Sequence, residues 1–313
     1  MTKIAVIGAG LIGRAWAIVF ARGNFEVALW DGAADAVANA LAVIRTRLDD
    51  LARAGLLDDP SGVLARIRPA SSLRDALAEA VYVQENLPEL LDTKRQIFAE
   101  LDDLTPPEAV LASSTSSIPT SAFADGVQGR ARCLVAHPVN PPYLIPLVEL
   151  SGAPWTSPET ISRARALLEQ AGQVPIVVKR EIEGFILNRL QGALLNEAFR
   201  LVEDGYVDPD DLDKTVAHGL GLRWSFMGPF ETIDLNAPGG LADYCARYAD
   251  MYHEMAKRYG NPKRWSPELI AHLDADRRRH LPKAQLAARQ AWRDRRLMAL
   301  AAHKRSVEME DKE

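Results

Sequence analysis

Short apolar runs alternate with amphipathic stretches through the first part of the chain. Candidate strands fall at Lys3–Ile7, Glu26–Trp30, Val81–Gln84, Val110–Ser113, Arg132–Ala136, Leu147–Leu150 and Val174–Val178, with helix-like segments between them. A parallel sheet covered by helices on both faces requires that alternation. The polar, alanine-rich stretch Asp35–Leu57 reads as one long amphipathic helix, longer than a minimal crossover needs. Ser157-Pro158-Glu159 supplies an N-cap, a proline at the first helical position and an early acid, and Gly172 ends the helix it starts. From Glu183 no further strand is predicted. Ile186, Leu187, Leu190, Leu194, Leu195, Ala198, Leu201 and Val202 form an apolar stripe at helical spacing, stopped by Gly205. Asp208-Pro209 and Ser266-Pro267 start further helices. The expected fold is α/β: a doubly wound sheet over residues 1–183, then an all-helical domain over 184–313 ending in a frayed charged tail, Glu308–Glu313.

The first strand runs straight into Gly8-Ala9-Gly10-Leu11-Ile12-Gly13, and the second ends at Asp31, eighteen residues past the last glycine. Strand, glycine turn, helix, strand and terminal acid, in that order, form the context that marks a Rossmann dinucleotide site. Gly8 permits the tight turn, Gly10 lets a pyrophosphate approach the backbone, and Gly13 lets the helix from Leu11 to Arg22 pack on the sheet. The unpaired N–H groups at that helix start, including those of Leu11 and Ile12, then face the phosphates. Asp31 can accept both ribose hydroxyls, and Gly32-Ala33 offer no arginine for a 2′-phosphate, which favours NAD over NADP. The other reading of these residues is a glycine-rich turn beside a surface aspartate.

Composition narrows the class. The chain has 313 residues, 48% hydrophobic and 25% charged, as expected of a soluble globular protein large enough for two domains. A net charge of −5 argues against nucleic acid or an acidic membrane as the main partner. Two scattered cysteines, Cys133 and Cys245, support neither a disulfide framework nor a metal site. No apolar run approaches the roughly twenty residues of a membrane span. A cytoplasmic, unprocessed protein is the expectation.

Oxidation of a secondary alcohol by NAD needs a base of near-neutral pKa, and histidine is the natural candidate. His137 follows a strand whose C-terminal end should meet the cofactor crevice, where open α/β sheets bind ligands. Glu149, twelve residues on and in another apolar run, is a costly charge to bury unless paired, and a His137–Glu149 pair would satisfy both. By themselves the two also fit a core histidine bonded to backbone and a glutamate on a solvated strand face. Ser116, in a run of small hydroxyls, can present its O–H to a ligand or serve as an ordinary turn or cap. Asn188 interrupts the apolar stripe, where an unpaired amide would be costly. Glu89 and Lys94 open a helix on the cofactor side and read equally as a solvated face. Arg223 can bind a carboxylate with two hydrogen bonds, or lie on a surface or interface. The basic stretch Arg277-Arg278-Arg279-His280, with Lys283, Arg289, Arg293, Arg295 and Arg296, reads first as a solvated helix face, with gathering of anionic substrates or cover of a subunit interface as alternatives, and Tyr244, Tyr248, Met251 and Tyr252 as core or interface.

Ser113-Ser114-Thr115-Ser116-Ser117, Ala136-His137-Pro138-Val139-Asn140-Pro141-Pro142, Leu147-Val148-Glu149-Leu150 and Gly184-Phe185-Ile186-Leu187-Asn188-Arg189 occur in order. Together they resemble the 3-hydroxyacyl-CoA dehydrogenase superfamily over nearly the whole chain. The strings through Tyr143 and Ile145-Pro146, Leu201-Val202-Glu203 and Ala287–Asp294 look most like its lambda-crystallin, or L-gulonate 3-dehydrogenase, branch. The resemblance implies His137 as general acid/base, Glu149 as its orienting partner, and Ser116 in contact with substrate and cofactor. It also implies Asn188 reaching the substrate oxygen in an interdomain site, cofactor contacts from Glu89, Lys94 and Asn140, and a homodimer through the helical domain. The implied reaction is NAD-dependent oxidation of the 3-hydroxyl of a small hydroxy acid, L-gulonate first, with 3-hydroxyacyl-CoA and carnitine as alternative substrates. A crystallin-like structural or NAD-binding protein without turnover is the alternative from another class.

Overall fold

The computed structural model describes residues 1–260 and 265–310. Eight strands form one sheet: β1 (Lys3–Ile7), β2 (Glu26–Trp30), β3 (Ile67–Pro69), β4 (Tyr82–Glu85), β5 (Val110–Ser113), β6 (Cys133–Pro138), β7 (Leu147–Gly152) and β8 (Val174–Val178). Their order is β3-β2-β1-β4-β5-β6-β7-β8. Successive side chains of a strand point to opposite faces, and β1 divides accordingly. Ile4 and Val6 join one buried cluster with Trp16, Phe20 and Phe25, while Ala5 and Ile7 join another with Val83, Phe98 and Phe123. A core therefore lies on each face of the sheet, as the doubly wound expectation requires. The Trp16 and Phe20 rings stack 5.1 Å apart, and Phe20 meets Tyr82 edge-on at 5.7 Å, tying the helix Leu11–Arg22 to the sheet.

Several elements differ from the sequence expectation. The sheet is not wholly parallel, because β7 runs antiparallel to β6. Only residues 139–146 connect the two strands, too short a segment for a parallel crossover. β6 extends through His137 and Pro138, and β3 is an additional edge strand. The long amphipathic helix covers Ala36–Arg53, and a separate short helix, Pro60–Ala65, follows it. The helix Leu187–Glu203 has no fully buried residue among the described residues, and its apolar stripe is half-buried or exposed. Tyr248, Met251 and Tyr252 are likewise exposed rather than core. Of the charged tail, residues to Glu310 continue the helix Leu286–Glu310, and 311–313 lie outside the described residues.

The chain divides into two compact units, Met1–Arg189 with Gln290–Glu313, and Leu190–Arg289. In the first unit, Met298 from the returning C-terminal helix is buried in the core that holds Trp16 and Phe20. Among its described residues every regular element of the second unit is a helix, Gly240–Tyr259 and Pro267–His280 among them. No described helix is long and apolar enough to cross a membrane.

Candidate active site

The glycine turn has the geometry that close approach of a dinucleotide demands. Gly8 has φ +91°, a left-handed conformation, and a Cβ there would lie 2.9 Å from the Asn86 carbonyl oxygen. At Gly13 a Cβ would fall 1.7 Å from the Gly8 carbonyl oxygen, so helix and turn touch only because the side chain is absent. Around Gly10 no atom lies within 4 Å of that position, which leaves the approach to the backbone open. Asp31 closes the site: its carboxylate accepts from the Ala9 amide at 2.7 Å and the Ala33 amide at 2.9 Å. Each oxygen keeps a lone pair for a ribose hydroxyl. Leu11 and Ile12 open the helix that follows, their amides at its N-terminus. These residues fit NAD.

At the same carboxyl edge of the sheet, the antiparallel register sets His137 directly opposite Glu149. Directly opposed residues share one face, so the two side chains meet. His137 Nδ1 lies 2.8 Å from Glu149 Oε2, with His137 5% and Glu149 0% exposed. The other oxygen, Oε1, accepts from the backbone amides of Ile186 at 2.8 Å and Leu187 at 2.9 Å. Burial pushes the Glu149 carboxyl up, but the His137 hydrogen bond and the two amides together hold it below its ordinary range. An ionised Glu149 requires Nδ1 to carry the proton, which leaves Nε2 with the lone pair of a base.

Ser116 lies in the turn after β5, with its peptide held on both sides. Its amide donates to Glu89 Oε1 at 2.9 Å, and its carbonyl accepts from Asn188 Nδ2 at 3.0 Å. Glu89 Oε1 also accepts from the Thr115 hydroxyl and from Ser117. Burial raises the Glu89 carboxyl, but Thr115, the nearby Lys94 charge and the serines hold it below the ordinary range. Asn188 is therefore half-buried and bonded to the Ser116 turn, not sunk in an apolar stripe. Asn140 is exposed, two residues beyond Pro138, the last residue of β6. Arg223 lies in the second unit, in the helix Gly221–Trp224, half-buried and in no ion pair among the described residues. In the basic stretch, Arg277 pairs with Asp213, Arg278 with Asp274 and Arg279 with Asp276.

Lys94 does not occupy a solvated face. It is 1% exposed, with Nζ 2.9 Å from each oxygen of Glu85 and 3.0 Å from the Leu87 carbonyl. Glu85, also fully buried, further accepts from Ser113 Oγ at 2.6 Å and the Leu87 amide at 2.6 Å. Sequence reasoning missed Glu85; the readable signal was an acid closing the apolar run of β4 with a lysine nine residues on. It also missed Ser114, whose Oγ accepts from Trp16 Nε1 at 2.9 Å and Gln84 Nε2 at 2.8 Å and donates to Asn86 Oδ1 at 2.7 Å. That network joins the helix after the glycine turn to β4 and to the segment behind Gly8.

Comparisons with known proteins show the family. Residues 3–182 match the NAD-binding domain of 3-hydroxyacyl-CoA dehydrogenase, and residues 184–279 match its C-terminal domain. Lambda-crystallin of Oryctolagus cuniculus is 42% identical over 310 residues, covering 97% of each chain. An L-carnitine dehydrogenase of Streptomyces coelicolor is 40% identical over 241 residues, 77% of this chain and 75% of the relative. Among solved structures, the NAD+-dependent dismutase 5-formyl-3-hydroxy-2-methylpyridine 4-carboxylic acid 5-dehydrogenase superimposes with a TM-score of 0.82 at 28% identity, covering 98% of this chain and 99% of that one. The chain belongs to the 3-hydroxyacyl-CoA dehydrogenase family and is an NAD-dependent dehydrogenase.

Proposed function

We propose that this enzyme oxidises the 3-hydroxyl of a small hydroxy carboxylic acid, L-gulonate first among candidates, with His137 as the base. The buried His137–Glu149 pair carries this reading. Bound NAD supplies the hydride acceptor. His137 Nε2 takes the hydroxyl proton while Glu149 keeps the proton on Nδ1, fixes the ring and stabilises the imidazolium that forms. Ser116, its peptide clamped by Glu89 and Asn188, presents its hydroxyl to the ligands, and the Asn188 Oδ1 remains available as an acceptor. The buried Lys94–Glu85 pair and Glu89 hold the turn on which Ser116 sits, with Asn140 assigned to the cofactor. Arg223, in no ion pair among the described residues, is our candidate for the substrate carboxylate. The near-complete match to lambda-crystallin supports gulonate over carnitine, whose dehydrogenases match a shorter stretch.

The test is NADH absorbance with NAD and four substrates: L-gulonate, L-3-hydroxybutyrate, carnitine and 3-hydroxybutyryl-CoA. The expected result is turnover of L-gulonate with the highest kcat/KM. A clear preference for the CoA ester or carnitine would reassign the substrate, and NAD binding without NADH from any of the four would favour a non-catalytic protein. Light scattering on the same preparation should read twice the 34.4 kDa chain mass if the homodimer expected through the helical domain forms.

A further inference from the structure

Glu149 fixes one edge of the His137 ring, and a hydrogen bond at one atom leaves the ring free to rock about it. A second contact restrains it. The Phe185 ring lies with its centroid 5.4 Å from that of the imidazole, tilted 41°. Phe185 is fully buried, whereas Ile182 and Ile186 around it are exposed. Its backbone is left-handed, with φ +47°, directly after Gly184 at φ +73°. A bulky aromatic residue is sterically disfavoured there, and such outliers persist only where the surroundings enforce them. What enforces this one is visible on both sides: the Phe185 amide donates to the Ile182 carbonyl at 3.2 Å, and the next two amides donate to Glu149. One strained turn thus drives an aromatic ring against the imidazole and presents two N–H groups to the carboxylate that holds the same imidazole.

We propose that Phe185 is a positioning residue for the dehydrogenation. Its ring packs against the imidazole of His137 as a second contact beside the Glu149 hydrogen bond, so that Nε2 keeps its aim at the reacting hydroxyl. This inference rests on His137 being the base. A leucine at 185 would carry the same backbone strain and nearly the same apolar bulk but no flat ring.

The experiment compares wild type, Phe185→Leu and His137→Gln with NAD and L-gulonate. It also records the 15N-edited NMR resonance of the His137 Nδ1–H, which needs no substrate. Phe185→Leu should lower kcat by about 10- to 100-fold, as loss of alignment does, leave the KM for NAD within about twofold, and broaden or abolish the Nδ1–H resonance. A Phe185→Leu enzyme with wild-type kcat and a sharp resonance, beside an inactive His137→Gln, overturns the inference alone. An active His137→Gln overturns the assignment of the base instead. Should the leucine variant not fold, Phe185→Met, whose flexible side chain fills irregular space, is read by the same criteria.

Discussion

At the scale of single residues, Glu149 couples the chemistry to stability. Its carboxylate accepts three hydrogen bonds while fully buried, and they outweigh burial to hold its pKa below the ordinary 4.5. A carboxyl with a depressed folded-state pKa stabilises the fold fully above its unfolded value, and that contribution is lost as the pH falls through the folded value. Glu149→Gln should therefore be less stable than wild type by about 1–3 kcal/mol at pH 7, and the gap should close as the pH falls below 4.5. Denaturant melts between roughly pH 3 and pH 7 measure it, and a gap that stays constant would contradict the assignment. The His137–Glu149 pair was legible in the sequence only through the family strings around both residues, because by themselves a histidine and an acid in apolar runs fit a core histidine and a solvated glutamate equally well. Phe185 was not, and Glu85 only faintly, as an acid closing an apolar run with Lys94 nine residues on. Glu85 needs knowledge that β4 is buried to its last residue, and the role of Phe185 depends on a backbone angle that residue type argues against.

At the scale of elements, the glycine turn separates folding from cofactor binding. The space next to Gly10 is empty and that next to Gly13 is filled by the Gly8 carbonyl. Gly10→Ala should keep its stability within about 1 kcal/mol while NAD binding weakens. Gly13→Ala should lose roughly 3 kcal/mol from overpacking. Thermal melts and NAD titration by protein fluorescence check the pair, and a Gly10→Ala protein that binds NAD as wild type does would contradict the open approach. The helix Leu11–Arg22 was readable to its ends because glycines bracket it. β3, three residues long and ending in Pro69, carries no periodicity to read. The reversed direction of β7 went unread although its connection is too short for a parallel crossover, and it is the reversal that makes His137 and Glu149 partners.

At the scale of the molecule, the sequence marks where strands give way to helices but not which helices belong together. The returning segment Gln290–Glu313 joins the first unit through long-range packing, with Met298 4% exposed in its core. An apolar helical stripe reads as core, yet Leu190 of that stripe is 62% exposed, and Phe226 and Phe230 further along the helical unit are 69% and 75% exposed. Exposed apolar surface on that scale suits the proposed self-association of the helical unit. The family membership and the dinucleotide site were both legible, since each rests on local strings. The choice of hydroxy acid was not, since it rests on how a pocket is shaped.

The most direct test of the central claim is turnover by His137→Gln alongside its affinity for NAD. The glycine turn and Asp31 are untouched by that change, so the dissociation constant for NAD should stay within about twofold of wild type, while kcat falls by about 10²–10⁴-fold. Turnover at the wild-type rate with unchanged NAD affinity would show that the proton leaves by another route and that His137 is not the base.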